Sequence, residues 1–177
     1  MAPSTDAPLP PRAPDDTDSE LSPPASGRGA ALREGTLTDA DLSDHTLREG
    51  RLTDLRLVRG SLANADLTRC DVRRVELSGC RATGSAFAES TLADVVFADC
   101  RLDLASFRFA TLERVAFRDC RLEEADFYGA TLRSVRFEKC VLTRATFETA
   151  TFDRCELRGC ELTDLMGVES LRGTRMP

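Results

Sequence analysis

A strict five-residue spacing of Leu and Phe limits what this chain can fold into more than any other feature. It runs from Leu37 to Leu162 as 26 consecutive groups without an insertion or deletion, and 24 of the 26 central positions are Leu or Phe, with Val72 and Ala82 the exceptions. A helix repeats at 3.6 residues and a strand at 2, so neither accounts for a period of five. The residue two before each centre is small in nearly every group, as at Ala40, Gly60, Ala65, Cys70, Val75, Cys80, Ser85 and Ser90. The other three positions are mostly polar. Each group therefore turns two residues inward and three outward, which describes one flat side of a coil with regular corners.

A second period sets the number of sides. From Cys80 the small position reads Cys, Ser, Ser, Val, then Cys100, Ala105, Ala110, Val115, then Cys120, Ala125, Ala130, Val135. The centres follow the same rhythm: Leu102, Phe107, Leu112, Phe117 precede Leu122, Phe127, Leu132, Phe137. Recurrence every 20 residues means four sides per coil, a square section with Phe on two opposite walls and Leu on the other two. Coils stacked at strand spacing, about 4.8 Å, give about 6.5 coils and a rod roughly 30 Å long. At Phe152 and Leu157 the two residue types change places, which conserves interior volume as a packed core requires. Ala82 predicts a thin spot unless Phe87 and Phe97 lean in.

Groups such as ANADL (63 to 67), EADF (124 to 127) and GATL (129 to 132) resemble the pentapeptide repeat family, whose consensus group is A(D/N)LXX. The resemblance covers residues 35 to 164 and implies an all-β fold, a right-handed quadrilateral β-helix. Fold alone does not fix function.

Seven of the eight prolines lie in the first 24 residues, among Ser, Asp and Gly and almost no large apolar side chains. Such a segment cannot bury enough surface to offset its ordering entropy. The expected organisation is a disordered tail over 1–30, the β-helix over 31–164 and a cap segment over 165–177. In that cap Leu165, Met166, Val168 and Leu171 are expected to cover the last coil. No run of apolar residues is long enough for a membrane helix, and the N-terminus lacks the apolar stretch of a secretory signal. The expectation is a cytoplasmic protein without a membrane partner.

All seven cysteines take the inward small position: Cys70, Cys80, Cys100, Cys120, Cys140, Cys155 and Cys160. Five of them stack in one column. They read as small buried hydrophobes in a reducing compartment. Stacked side chains about 4.8 Å apart exceed the usual Cβ separation of a disulfide, roughly 3.5 to 4.5 Å. No Cys-x-x-Cys pair exists and the single His45 is remote, so neither a metal nor another cofactor is expected. His45 marks a half-solvated first coil. Thr91, Thr111, Thr131 and Thr151 form an outward column, but Ala93, Glu113, Arg133 and Asp153 beside it make the face too uneven for ice binding. No catalytic constellation is present, and acidic pairs such as Glu123 and Glu124 fall on a convex rod, so an enzyme is not expected.

Two surface features remain. Leu104, Phe109 and Tyr128 take outward positions along one wall and form a candidate apolar contact patch, for a partner or for a homodimer. Asp103, Glu123, Glu124, Asp126 and Glu148 form a candidate acidic edge. Some members of the resembled family inhibit or protect DNA gyrase by imitating B-form DNA, and some confer quinolone or gyrase-toxin resistance. Matching duplex DNA over 30 Å takes roughly 18 negative charges. Residues 35 to 177 hold 24 acids and 21 bases. The wall centred on Leu42 to Leu162 carries 7 acids and 4 bases, and the next, centred on Leu47 to Phe147, carries 5 and 3. The remaining two walls carry 5 acids with 6 bases and 6 with 6, so the rod is modestly two-sided. Arg81, Arg101 and Arg121 dilute the more acidic side. The uninterrupted register leaves no room for the projecting loops of strong gyrase protectors, and the C-terminus is too short for a long dimerisation helix. The primary expectation is a non-enzymatic, protein-binding scaffold that does not contact nucleic acid directly. The alternative is a gyrase or type II topoisomerase modulator acting as a partial DNA mimic.

Overall fold

The computed structural model describes residues 19–171. They form a right-handed, all-β parallel solenoid. Strands β1 (Ala31–Thr38), β2 (Arg51–Val58), β3 (Asp71–Ser78), β4 (Thr91–Ala98) and β5 (Thr111–Arg118) are followed by four short ones. These are β6 (Thr131–Arg133), β7 (Arg136–Glu138), β8 (Thr151–Asp153) and β9 (Glu156–Arg158). A 3-10 turn over Val168–Leu171 ends the described chain. Every strand pair is parallel with a register of 20, from Ala31 opposite Arg51 to Glu138 opposite Arg158. The coil therefore has the four sides that the sequence period requires.

The four walls are not equivalent. Strands cover only the third and fourth, centred on Leu52 to Phe152 and Leu37 to Leu157. Thr and Val at 91, 95, 111, 115, 131 and 135 keep the backbone extended there. The first and second walls hold single bridges such as Arg101 to Arg121 and Ser106 to Asp126, separated by turns. In these turns the N–H of Ala105 donates to Leu102 O at 3.0 Å, and that of Ala110 to Phe107 O at 3.0 Å.

Every corner is built in one way. All 26 residues two past a centre, from Asp39 to Asp164, have positive φ, and only Gly79, Gly84, Gly129 and Gly159 among them are glycine. An L-residue there gives up about 1–2 kcal/mol. The left-handed corner aims its own N–H along the rod, so Leu104 N donates to Glu123 O at 2.9 Å and Phe109 N to Tyr128 O at 3.0 Å in the next coil. Those axial hydrogen bonds offset the corner strain.

Inside, Phe rings form two facing columns. Phe97 and Phe117 stack at 4.9 Å and Phe107 and Phe127 at 4.8 Å, while Phe107 meets Phe117 edge-on at 5.8 Å. Phe87 and Phe97 stand 6.1 Å apart beside Ala82, within the spacing of the pairs above them, so these rings do not lean in. In the exchanged coil, Leu157 is buried, and Phe152 is half-buried against Phe147 at 5.4 Å. The seven cysteines are free, and their thiols donate to backbone carbonyls, as Cys100 does to Leu77 O at 3.4 Å.

The two ends differ from the expected boundaries. Residues 19–30 fall inside the expected tail, yet they cover the first coil. Leu21 N donates to Thr36 O at 2.8 Å, Gly27 N to Thr46 O at 2.6 Å, and Arg28 holds Glu49 in a bidentate ion pair at 2.6 Å. An unpaired solenoid edge needs such a cover, and Pro and Gly in the covering segment hide it from a five-residue search. Residues 1–18 of the expected tail lie outside the described residues, as do 172–177 of the cap. At the C-terminal end Leu165 and Leu171 pack on the core as expected, but Met166 and Val168 are 48% and 57% exposed. Gly167 stands where the next inward centre would fall. Its φ is +75°, and a Cβ there would lie 2.4 Å from Glu148 N, so only glycine ends the register this way.

Candidate functional site

The corner geometry exposes the patch. At Leu104 (φ +60°) and Phe109 (φ +56°) the left-handed backbone throws the side chain outward, leaving them 57% and 55% exposed. They stand at opposite edges of the second wall. Phe109 and Tyr128 meet edge to face at 5.6 Å. Arg108 lies over the Tyr128 ring at 4.5 Å and near the Phe109 ring at 5.7 Å, and donates to Asp126 Oδ2 at 2.8 Å. Asp126 also accepts from Tyr128 N at 2.9 Å, which fixes the tyrosine backbone. Gly129 completes the arrangement: a Cβ on it would lie 2.7 Å from the Phe109 ring, so the ring rests on bare backbone. The structure thus joins Phe109 and Tyr128 through Arg108, a residue that sequence reasoning missed, and leaves Leu104 as a separate apolar post.

The acidic edge does not form a free anionic row. Arg121 reaches Asp103 at 3.6 Å and Glu123 at 3.0 Å. Arg144 reaches Glu123 at 2.8 Å and Glu124 at 2.6 Å, and Arg108 engages Asp126. The Arg144 guanidinium is held above its ordinary pKa chiefly by its hydrogen bond to Glu124, and that of Arg108 by Asp126. Of the five candidate acids, Glu148 alone forms no ion pair among the described residues. Elsewhere Arg74 grips Asp54 at 2.6 and 2.8 Å, Arg114 grips Asp94 at 2.6 and 2.9 Å, and Arg69 lies between Glu49 and Glu89. Most of these partners are 20 residues apart, a spacing that sequence inspection for opposite charges could have found. The described residues contain no group of three or more His, Cys, Asp or Glu able to hold a metal ion.

The comparisons with known proteins agree with this architecture. The family model for the pentapeptide repeat region matches residues 71–147, and that for pentapeptide repeats (8 copies) matches residues 132–164. No curated protein matches the chain. Among solved structures, a trypsin-treated variant of QnrB1, a plasmid-mediated fluoroquinolone resistance protein, superposes with a TM-score of 0.57 at 24% identity, covering 74% of this chain and 76% of that one. Full-length QnrB1 gives 0.51 at 20% identity over 80% and 91%. HetL, a pentapeptide repeat protein involved in heterocyst differentiation regulation in Nostoc sp. strain PCC 7120, gives 0.35 at 17% over 81% and 87%. The QnrB1 likeness is one of fold. Together the two family models span residues 71–164, more than half of the chain, in the register that the structure displays, and the chain belongs to the pentapeptide repeat family.

Proposed function

We propose that the protein is a non-enzymatic binding module of the cytoplasm, a stiff rod that contacts a protein partner through the Leu104, Phe109 and Tyr128 wall. One contrast carries this reading. Charged side chains over most of the rod are paired with one another, whereas Leu104 and Phe109 are more than half exposed. An exposed phenylalanine beside a half-buried tyrosine that carries an arginine over its ring brings together residue types that anchor protein interfaces. Seven free cysteines fit a reducing compartment.

A second reading, modulation of gyrase or another type II topoisomerase by partial DNA mimicry, is favoured by the likeness of fold to a fluoroquinolone resistance protein. The arginine pairing of four of the five acidic-edge residues weighs against it. Supercoiling by purified bacterial gyrase, with and without a quinolone, separates the two. DNA mimicry predicts inhibition or drug rescue that disappears in a Glu123→Lys, Glu124→Lys, Asp126→Lys variant and with rising salt. The binding-module reading predicts no effect, or an effect abolished by Phe109→Ser and kept by the lysine variant.

A further inference from the structure

The exposed apolar side chains do not scatter. Four large ones are exposed among the described residues: Leu104, Phe109, Met166 and Val168. Leu104 and Phe109 border the second wall. Met166 continues that wall's own column, bridging Thr146 as Thr146 bridges Asp126, and Val168 follows it. Tyr128, half-buried, stands between, and the rung next to Met166 presents Thr146, Glu148 and Thr149. From the level of Phe109 to that of Met166 is three rungs, about 15 Å at strand spacing. That length takes about ten residues of a helix or four to five of an extended strand.

Among the described residues, the unpaired charge beside this face has one sign. Arg108 and Arg144 beside it are engaged by Asp126, Glu123 and Glu124. Glu148, Asp164 and Glu169 are exposed and form no ion pair among the described residues. Apolar side chains interspersed with carboxylates that have no ion-pair partner among the described residues attract one class of protein surface and repel the opposite one.

We propose that this face takes a cationic, amphipathic protein segment. Its aliphatic side chains lie along Leu104, Phe109, Tyr128 and Met166, and its Lys or Arg side chains reach Glu148, Asp164 and Glu169. Such side chains suit the strip because their methylene stems pack on aromatic rings while their heads meet carboxylates. The proposal rests on the protein-binding reading above and adds the chemistry of the partner.

The test is fluorescence anisotropy with the full chain and short labelled peptides of matched length: one of Lys and Leu, one of Glu and Leu, one of Lys and Ser. The Lys and Leu peptide is expected to bind best. Phe109→Ser should weaken it about tenfold. A Glu148→Lys, Glu169→Lys variant should weaken it further and improve the Glu and Leu peptide. All these positions are exposed, and circular dichroism verifies the fold of each variant. Equal binding of the Lys and Ser peptide would overturn the proposal in favour of a charge contact without apolar anchoring. Equal binding of the two Leu peptides, both lost in Phe109→Ser, would overturn the charge selectivity and leave the protein-binding reading standing. Binding that ignores Phe109→Ser for every peptide would overturn both. A concentration-dependent dimer of the wild type that Phe109→Ser dissociates would assign the face to a second copy of the chain.

Discussion

Two glycines with positive φ separate backbone strain from steric conflict. Gly129 has φ +64°, and its added Cβ would meet only the exposed Phe109 ring, which can swing aside. Gly129→Ala is therefore expected to lower stability by about 1 kcal/mol while displacing the aromatic patch. At Gly167 the added Cβ meets the backbone of Phe147 and Glu148 within 2.7 Å, and backbone cannot swing. Gly167→Ala should cost more and fray the terminal coil, read as faster amide exchange at Phe147, whose N–H donates to Met166 O at 2.9 Å. Equal denaturation midpoints for the two variants would contradict this ordering. Ion pairs divide in the same way. Asp94 is buried, and Arg114→Leu is expected to cost about 3 kcal/mol because it strips a bidentate partner from that carboxylate. Arg69 is about half exposed, and Arg69→Leu is expected to cost much less, because solvent screens that pair. Urea denaturation of both variants checks the difference.

Elements were legible in the sequence to unequal degrees. The 20-residue register could be read because Leu and Phe lie at its centres and Cys, Ala and Val at its small positions, and burial enforces both patterns. The left-handed corners could not. Arg, Asp and Glu occupy most of them, and nothing in those residue types signals positive φ, because axial hydrogen bonds from the next coil hold the conformation. The confinement of strands to two walls was half visible, in the Val column at 75, 95, 115 and 135. The cover over the first coil was hidden, since residues 19–30 carry no repeat. The buried cysteines make a prediction at this scale. Burial pushes the Cys70 thiol up to about 11, and the neighbouring Cys120 sulfur, with burial, pushes Cys100 up to about 12, against an ordinary value of 9.0. The folded state thus holds these protons more tightly than the unfolded chain. Their contribution is complete below pH 9.0, and stability should fall from there to about pH 12. Cys100→Ala is expected to flatten that alkaline slope in denaturation curves taken across the range. An unchanged slope would contradict the assignment.

Taken whole, the molecule is a rod whose charged side chains are mostly paired and whose exposed large apolar side chains, among the described residues, lie along one wall. Composition made the near balance of acids and bases visible, and the wall-by-wall count made the two-sidedness visible. Neither revealed that Arg108, Arg121 and Arg144 consume most of the candidate acidic edge, because pairing depends on which side chains the coil brings level. The outward positions of Leu104 and Phe109 were legible, and Tyr128 lies half-buried beside them. The patch's extension to Met166 and Val168 was masked by a C-terminal apolar run that suggests a cap, although both fall on outward positions of the repeat, level with Thr146 and Glu148, while Leu165 falls on an inward one. Site-specific photocrosslinking decides whether the Phe109 wall meets a partner: benzophenone side chains are placed singly at position 109, and at exposed Arg133 on the third wall as control, in the cell that expresses the protein. A discrete crosslinked species is expected from position 109, absent from position 133 and diminished when Tyr128 is also replaced by Ser. Equal crosslinking from both walls, or crosslinking from position 133 alone, would contradict it.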